Sequence, residues 1–529
     1  MERNLVKNLL CLLLVLFGCQ TNSLQKDGKV KNVILLIGDG MGPQQLGLLL
    51  AYAKKAPNSY YKGNQTAFEK LINHENGQMG LMTHNPAGSI VIDSASAASQ
   101  IATGVPSGSE MIGLDEAGHP VETVLEMAKK RGKSTGLVTD TRLTHATPAS
   151  FASHFAHRSM ENEIAEEMLL SGNVDVMLGG GIRHWIPRDT QKKELELLLG
   201  TNKIKLKSKR QDNKDLLFLA KKRGYDLVFG KNQLQKAKGN KILGTFSYSG
   251  MPNGIKHRQL KKNPSNSIPS LKEMTKKAVE VLSRNKNGFF LMVEAGQIDW
   301  AGHQNDAGTM LNEMVKFEET LSFIYDWVKD RKDTLVVVTA DHETGSFGFS
   351  YSKRNLWAKA KKLPGEAFKN RDYKPNFNFG SFSLLDKIYN QKKSLVEIIK
   401  EYKSIKNRGP KDLVRLVEKY TSFTLSEKEA RKVMAEEENS FWVKNHKYLS
   451  TKTFPKIEGP LKSFYVYASE GNANNLGLML SKRQNTVWGT GTHTNTPVPL
   501  ILFTPNKERV SHLVSNTDLG KFLKKVVRN

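Results

Sequence analysis

Acidic and histidine side chains follow several apolar stretches of this sequence at spacings that suit metal binding. Asp299 and His303 are four residues apart, so on a helix they share one face and can hold one ion. Asp341 and His342 closely follow an apolar run, and His493 lies in a loop rich in glycine and threonine. Each feature alone has an ordinary explanation, such as a capped turn or an exposed ion pair. Together, at the ends of runs where packing would favour apolar side chains, they predict a site for several metal ions.

Further oxygen ligands occupy comparable positions. Asp39 stands between two glycines after the first apolar run, and Glu294 ends another such run. Thr147 precedes a proline, and Arg158 follows in a stretch that we expect to be helical. Carboxylates and hydroxyls bind hard cations, and an arginine guanidinium binds two phosphate oxygens at once. The same region therefore predicts both metal ions and an anionic ligand.

Ser94 opens a run of small residues, 92–104, that we expect to form a helix. Asp93 or Ser94 suits the N-cap position of such a helix. The Ser94 hydroxyl would then lie beside unpaired backbone N–H groups and the positive end of the helix dipole, which favours an anion such as phosphate. A helix of small residues packed tightly against its neighbours is the alternative explanation of this run.

Apolar runs alternate with amphipathic stretches along the chain. The predicted strands are 30–37, 135–139, 174–178, 289–293, 334–339 and 498–503. The predicted helices are 121–130, 161–170, 270–283, 308–328 and 516–523. This alternation indicates an α/β fold of three layers, with a largely parallel central sheet and helices on both faces. In such sheets ligands bind beyond the carboxyl ends of the strands, where the candidate ligands fall.

The composition is that of a large, basic globular protein. The chain has 529 residues and a formal net charge of +27. Its lysines are scattered and are not interleaved with aromatic residues, which favours a solvated surface over a specific nucleic-acid site. The charge is also compatible with anionic small substrates or an anionic membrane surface.

The N-terminus resembles an export signal followed by a lipid anchor. Basic residues precede a short apolar run, and residues 16–19 resemble a bacterial lipobox ending at Cys19. We expect a signal peptide over 1–19, lipidation of Cys19 as a membrane anchor, and a periplasmic or cell-envelope lipoprotein; an ordinary cleaved signal is the alternative. Both cysteines, Cys11 and Cys19, lie in this segment. The rest of the chain therefore has no disulfide and no cysteine ligand.

The remainder divides into a tether over 20–29 and one catalytic domain over 30–529. Two stretches differ from the alternating pattern. The lysine-rich stretch 190–264 is interpreted as a peripheral elaboration. The stretch from 350 to about 485 separates two parts of the candidate site and is interpreted as a crown-like insertion above the sheet.

In their order, the candidate segments resemble the alkaline phosphatases. The resemblance covers 30–344 and 485 to the end, and it rests on Ile37-Gly38-Asp39-Gly40-Met41, Asp93-Ser94-Ala95, His145-Ala146-Thr147-Pro148, Glu294-Ala295-Gly296-Gln297-Ile298-Asp299, Asp341-His342-Glu343-Thr344 and Thr492-His493-Thr494. It implies an enzyme that hydrolyses small phosphate monoesters to an alcohol and inorganic phosphate, with two Zn²⁺ and one Mg²⁺ per chain. A homodimer is also in keeping with the resemblance.

The resemblance further implies a role for each candidate residue. The metal ligands would be Asp299, His303 and His493 at the first zinc, Asp39, Asp341 and His342 at the second, and Asp39, Thr147 and Glu294 at the magnesium. Ser94 would be the nucleophile that forms a phosphoserine, and Arg158 would hold the phosphate. His145 and Trp300 occupy positions that vary within the family, and they would tune the third metal site from behind the ligands.

Three other functions share parts of this pattern. A phosphodiesterase or sulfatase on the same scaffold would use a similar metal set, although Arg158 and the third-metal residues suit a dianionic monoester. A metal-free Ser–His–Asp hydrolase would need a Gly-x-Ser-x-Gly turn, which does not surround Ser94. A basic lipoprotein that captures phosphate or metal would keep the site without turnover.

Overall fold

The computed structural model describes residues 30–190, 192–200, 203–353, 361–362, 365–369, 371–446, 449–457, 468–505 and 513–529. The expected signal peptide, the lipidation site Cys19 and the tether lie outside these residues. Within the described part of the chain, no helix combines the length and the apolar composition that a membrane span needs.

A central sheet of ten strands organises the chain. Its strands are β1 (Asn32–Gly38), β2 (Gly77–Thr83), β3 (Ser134–Arg142), β4 (Val176–Gly180), β5 (Asp226–Val228), β6 (Ile242–Thr245), β7 (Phe289–Ala295), β8 (Thr334–Thr339), β9 (Val498–Phe503) and β10 (Leu513–Ser515). Their order across the sheet is β10-β2-β9-β8-β1-β7-β3-β4-β6-β5. All pairs are parallel except those that β9 makes with β2 and β8. The predicted α/β fold with a largely parallel sheet is confirmed.

The register of the central strands places the candidate ligands at one edge. Ile37 of β1 pairs with Glu294 of β7 and with Thr339 of β8. Asp39 lies two residues after Ile37, just beyond the end of β1, and Asp341 lies two residues after Thr339, just beyond the end of β8. Because neighbouring parallel strands end at the same edge, the three carboxylates are brought together. Strands β1, β7 and β8 are buried throughout, as their continuous apolar runs predict.

Helices cover the sheet on both faces. They are α1 (Pro43–Lys55), α2 (Ala67–Asn73), α3 (Ser94–Thr103), α4 (Val124–Lys130), α5 (Ala146–Ala149), α6 (Glu161–Leu170), α7 (Lys192–Leu199), α8 (Leu216–Lys222), α9 (Lys231–Lys236), α10 (Gly254–Leu260), α11 (Leu271–Leu282), α12 (Gln297–His303), α13 (Ala307–Val328), α14 (Ser383–Tyr389), α15 (Leu395–Ser404), α16 (Pro410–Tyr420), α17 (Glu427–Val433), α18 (Ala468–Gln484) and α19 (Asn516–Arg528). Ser270 caps α11 through the predicted capping box with Glu273. The expected helix around Arg158 is wrong: Arg158 lies in a turn, and α6 begins three residues later.

The two stretches that depart from the alternating pattern are attached to the core in different ways. The stretch 190–264 contributes β5 and β6, the last two strands at one edge of the sheet. The stretch 350–485 carries helices α14 to α18. Its α15 is tied to the core because Asp306, the N-cap of α13, accepts hydrogen bonds from Leu395 N and Gln391 Nε2, both at 2.8 Å. The insertion therefore packs on the sheet domain directly.

One buried acid of α13 gives the fold a pH dependence. Glu318 accepts a hydrogen bond from the Ala67 N–H at 2.5 Å, and burial raises its pKa from 4.5 to about 8. Because the folded state holds this proton more tightly than the unfolded state, its contribution is complete below pH 4.5 and is lost as the pH rises to about 8. The Glu318 proton therefore makes the fold less stable at alkaline pH.

We expect Glu318→Gln to remove this dependence, since the amide keeps the acceptor and has no charge to bury. The free energy of unfolding in urea should exceed that of the wild type by about 1–3 kcal/mol at pH 9 and match it near pH 5. The exposed Glu418→Gln is the matched control. An equal difference at both pH values would contradict the assignment.

Candidate active site

Ser94 is the first residue of α3, and the sequence around it explains its position. Asp93 is the N-cap, and its carboxylate accepts hydrogen bonds from Ala95 N at 2.8 Å and Ser96 N at 3.3 Å. Ser94 is only 2% exposed, and its hydroxyl lies 3.1 Å from Nε2 of His342. Asp93 thus orients the helix start, and Ser94 faces the candidate metal ligands.

The alternative explanation of this run, a helix of small residues packed tightly against its neighbours, is also correct for α3. Every residue of α3 is buried, and the helix lies against α19. A Cβ atom on Gly520 would come within 2.6 Å of the Gln100 carbonyl oxygen, so only glycine permits this approach. Small residues therefore serve two purposes here: they fix the helix, and they hold its first serine in place.

Asp299, His303 and His493 form a first cluster. Oδ1 of Asp299 lies 3.3 Å from Nε2 of His303 and 3.5 Å from Nε2 of His493. The Nδ1 atom of His303 bonds the Gly491 carbonyl at 2.7 Å, and that of His493 bonds the Ile92 carbonyl at 2.8 Å. With Nδ1–H donated to a carbonyl, each Nε2 faces Asp299 and can offer its lone pair to a cation that displaces its proton. This is the arrangement that orients histidine ligands on a metal.

Asp39, Asp341 and His342 form a second cluster beside Ser94. Nε2 of His342 lies 3.5 Å from Oδ1 of Asp39 and 3.4 Å from Oδ2 of Asp341, and all three side chains are fully buried. The His342 ring also stacks on His493, with ring centroids 3.6 Å apart. The two clusters are therefore adjacent. Gly40, at φ +77°, allows the turn after Asp39, since a Cβ there would meet Asp299 Cα at 2.6 Å.

A third cluster consists of Asp39, His145 and Glu294. Nδ1 of His145 lies 4.0 Å from Oε1 of Glu294. The Thr147 hydroxyl is also buried, and among the described residues it has no hydrogen-bond partner. The structure thus places His145 among the candidate ligand atoms, closer than the supporting position expected for it. The Trp300 ring packs edge-on against the His145 ring, with 6.0 Å between the ring centroids, and so supports His145 from the side.

The buried ligand atoms fit a cation. Among the described residues, these atoms have no hydrogen-bond partner: both carboxylate oxygens of Asp39, Oδ2 of Asp341, Oε1 of Glu294 and Nδ1 of His145. Buried polar atoms are rarely left unpaired, and here they converge on one region. Oxygen and imidazole donors of this kind suit Zn²⁺ and Mg²⁺. The donor set is consistent with the metal sites that the sequence predicts.

The raised pKa values of the clustered carboxylates also favour a bound cation. Burial, reinforced by Asp341 and Asp299, raises the pKa of Asp39 well above its usual range. Burial likewise raises the pKa of Asp341, and raises that of Glu294 to about 7. At His303 burial acts against the charged imidazole, but the Asp299 carboxylate outweighs it and raises the pKa to about 9. A bound cation would favour the ionised carboxylates and take the place of these protons.

Arg158 reaches the site from the turn before α6. Its guanidinium lies 3.6 Å from Oδ1 of Asp93 and 3.3 Å from Nε2 of His145. Its side chain is 23% exposed, so it borders the opening to solvent. Asp93 therefore fixes both Arg158 and the helix that begins with Ser94, which leaves it as an orienting neighbour of the ligands.

Several contributing residues lie outside the residues singled out from the sequence. Thr344 donates a hydrogen bond to Oδ1 of Asp299 at 2.5 Å. Thr139 and Thr141 both donate to Oε2 of Glu294, the latter at 2.9 Å. His84, after β2, is held mostly neutral beside the second cluster because burial lowers its pKa to about 4. Thr139 and Thr141 lie near the carboxyl end of β3, and polar residues at the end of an apolar run are a signal that could have identified them.

A buried network of charged side chains holds the backbone next to Glu294 in place. Lys316 of α13 lies 2.9 Å from Oδ2 of Asp140 and also contacts Glu313, and all three are almost completely buried. Asp140 in turn accepts a hydrogen bond from Gly296 N at 2.8 Å, two residues after Glu294. The network therefore anchors the backbone that carries a candidate ligand.

We expect Lys316→Met to lower the free energy of unfolding by about 3–5 kcal/mol, because it leaves two buried carboxylates without their cation. Urea unfolding at neutral pH measures this. Adding Glu313→Gln should restore part of the loss, while the exposed Lys411→Met should change stability by less than about 0.5 kcal/mol. A loss that Glu313→Gln does not reduce would show that the buried charge is not its cause.

The insertion also contacts the site. Asn474 of α18 donates a hydrogen bond to the His303 carbonyl at 3.1 Å. A Cβ on Gly477 would come within 2.3 Å of the Asn305 carbonyl oxygen, so α18 lies directly against the loop after α12. The insertion thus covers the outer side of the first cluster.

Comparisons with known proteins agree with this geometry. The sequence model of the alkaline phosphatase family matches residues 30–528. Alkaline phosphatase 3 of Bacillus subtilis (strain 168) is 31% identical over 495 residues, covering 93% of this chain and 88% of that protein. Alkaline phosphatase of Escherichia coli (strain K12) is 32% identical over 373 residues, covering 63% and 74%. The crystal structure of Thermus thermophilus alkaline phosphatase matches with a TM-score of 0.72 and 26% identity, covering 95% and 93%.

Fold and site together define a metal-dependent hydrolase built at the edge of an α/β sheet. The chain belongs to the alkaline phosphatase family. It is therefore a phosphatase, and the expected fold, family and enzyme class are confirmed.

Proposed function

We propose that this phosphatase hydrolyses phosphate monoesters through a phosphoserine on Ser94, at a site that holds two Zn²⁺ and one Mg²⁺. The observation that carries the proposal is the position of the Ser94 hydroxyl. It lies at the edge of the second cluster, 3.1 Å from Nε2 of His342, on the side where Arg158 reaches the site. The two zinc ions would be held by the first and second clusters. The magnesium ion would be held by Asp39, Glu294 and Thr147, with His145 beside them.

The proposed cycle assigns one task to each side chain. Bound metal ions would lower the pKa of the serine hydroxyl and stabilise the attacking and leaving oxygens. Arg158 binds two phosphate oxygens and aligns the phosphorus with Ser94. Ser94 Oγ bonds to phosphorus as the ester P–O bond breaks, and the proton lost from Ser94 is balanced by the proton that the leaving alcohol oxygen gains. The oxygen of a water molecule then bonds to phosphorus as the Ser94 Oγ–P bond breaks, one water proton restores the Ser94 hydroxyl, and inorganic phosphate leaves.

The geometry disfavours a metal-free Ser–His–Asp mechanism. In such a triad one imidazole nitrogen faces the serine and the other faces the acid. Here the same atom, Nε2 of His342, faces Ser94 and both neighbouring acids. Nδ1 of His342 lies 3.3 Å from the Thr344 hydroxyl instead. This geometry supports the proposal that His342 is a metal ligand beside Ser94 over the alternative that it is a general base.

Hydrolysis of a chromogenic phosphate monoester at alkaline pH tests the proposal. We expect turnover to disappear on chelation, to return fully with Zn²⁺ and Mg²⁺ together, and to return only partly with either alone. The same preparation assayed on a diester and a sulfate ester separates this function from a phosphodiesterase or sulfatase. A fully metallated sample without monoesterase activity, or with faster diester hydrolysis, would overturn the proposal. Phosphate binding without turnover would identify a capture protein.

We also propose the cellular context that the N-terminus indicates. Residues 1–19 would direct export, Cys19 would carry the lipid, and 20–29 would tether a single catalytic domain over 30–529 to the cell envelope. That domain would include the elaboration at 190–264 and the insertion at about 350–485, and it would function as a homodimer. Cys19→Ser should release the protein from membranes, and unchanged membrane retention would count against the anchor.

A further inference from the structure

A second group of cations lies beside the phosphate-binding residues. The Arg183 guanidinium lies 5.4 Å from the centre of the Tyr248 ring, and the Lys205 ammonium lies 5.0 Å from it. Arg142 adjoins this pair through Glu161, which it contacts with two hydrogen bonds of 2.6 and 3.1 Å. We call Arg142, Arg183, Lys205 and Tyr248 the Tyr248 rim.

The Tyr248 rim carries more positive than negative charge. Glu161 pairs with Arg142, and its nearest oxygen lies 3.9 Å from Arg183. Burial opposes the charge of Glu161, but Arg142 together with its other polar neighbours outweighs burial and holds the pKa of Glu161 well below its usual range, so this carboxylate is ionised. His184, next to Arg183, stays neutral because burial lowers its pKa to about 4. Within the described residues Lys205 forms no ion pair, so three cations face one anion.

The rim connects to the catalytic residues on two sides. On one side the Arg142 carbonyl accepts a hydrogen bond from His145 N at 2.9 Å, and His145 contacts Arg158. On the other side Gly250, two residues after Tyr248, packs on Trp300, since a Cβ there would meet that ring at 2.6 Å. Trp300 in turn packs against His145. Both paths end at the same histidine, so the rim borders the site on the His145 side.

The loop carrying Tyr248 is held in place by backbone contacts. The Ser247 carbonyl accepts hydrogen bonds from Gly181 N and Ile182 N at 3.0 and 3.1 Å, directly before Arg183. The Arg183 side chain is 18% exposed, whereas Lys205 is exposed. A largely buried guanidinium next to an exposed ammonium, both over one aromatic ring, is a suitable arrangement for a dianion such as a phosphate or phosphonate.

We infer that the Tyr248 rim binds a second anionic group of the substrate, so that the enzyme prefers phosphate monoesters with another phosphate or phosphonate at their far end. This inference rests on the proposed function, because it places the scissile phosphate at Ser94 and Arg158. The rim takes no part in bond breaking. Its effect is to hold the distal group, and so to raise kcat/KM for polyanionic substrates.

Two matched series of substrates test the inference. One consists of alkyl phosphates that end in a phosphonate, which the enzyme cannot hydrolyse; the other has the same chain lengths and ends in a methyl group. At the best chain length we expect kcat/KM to be about 10-fold higher for the phosphonate series. The advantage should shrink as salt is added, because exposed charges are screened.

Two variants locate the effect. The phosphonate advantage is the ratio of kcat/KM for the phosphonate series to kcat/KM for the methyl series. Lys205→Ala, at an exposed position, and Arg183→Gln should each reduce this ratio toward 1, while kcat/KM for the methyl series stays within about twofold of the wild-type value. Lys411→Ala, on the distant α16, is the control and should leave the advantage unchanged. No advantage at any chain length, or an advantage that both variants retain, would overturn the inference. A wild type that fails to hydrolyse the methyl series would instead overturn the proposed function.

Discussion

Ser94→Ala is expected to lower kcat for monoester hydrolysis by about 10⁴-fold or more, because no other hydroxyl replaces the nucleophile of the two-step reaction. The metal content should stay at the wild-type level, since the ligand atoms of the three clusters belong to other residues. Steady-state kinetics and elemental analysis of the same purified sample measure the two quantities. The combination of intact metal sites and lost turnover separates a nucleophile from a structural serine.

Ser96→Ala is the matched control for this variant. Ser96 lies two residues further along α3, is equally buried, and donates its hydrogen bond to the Ser107 carbonyl at 2.8 Å, away from the clusters. We expect it to retain kcat within a few-fold while losing some stability. If Ser96→Ala lost as much activity as Ser94→Ala, the effect would be one of helix packing.

Asp39→Asn is expected to lower kcat/KM by about 10²–10⁴-fold, because Asp39 is the one carboxylate shared by the second and third clusters. The amide is nearly isosteric but carries no charge, so both clusters lose affinity for their ions. Elemental analysis should show fewer bound ions per chain than in the wild type. Added Zn²⁺ and Mg²⁺ should restore only part of the activity.

The stability of the metal-free protein distinguishes this explanation from misfolding. Burial and neighbouring acids raise the pKa of Asp39, so its ionised form destabilises the metal-free fold at alkaline pH. Metal-free Asp39→Asn should therefore unfold at the same or a higher urea concentration than metal-free wild type. Asp175→Asn, buried at a distance and paired with Lys129, is the control and should keep its metal content. A less stable metal-free Asp39→Asn protein would contradict the electrostatic account.

One physical regularity explains why several acids singled out from the sequence lie close together in the structure. Continuous apolar runs such as β1, β7 and β8 form buried parallel strands, and parallel neighbours end at the same edge. Asp39, Glu294 and Asp341 therefore had to meet once their strands were adjacent. The four-residue spacing of Asp299 and His303 likewise fixed a shared helix face, which α12 confirms.

The remaining features depend on contacts between distant residues, which spacing does not encode. Thr139 supports the site because β3 pairs with β7, which sets its hydroxyl beside Glu294. Thr344 supports it because the chain after β8 brings its hydroxyl onto Asp299. Arg158 was expected in a helical stretch, yet α6 begins only at Glu161, and the turn before it lets the guanidinium reach back to Asp93. Strands β5 and β6 are too short to stand out in a lysine-rich stretch.

The central claim is that Ser94 carries the phosphoryl group during turnover, and it can be observed directly. The enzyme is mixed with a labelled phosphate monoester, quenched in acid within one turnover, digested and mapped by mass spectrometry. The account predicts one labelled phosphoryl group on the peptide that contains Ser94, and none after Ser94→Ala. Turnover without any labelled peptide, or with the label on another residue, would contradict it.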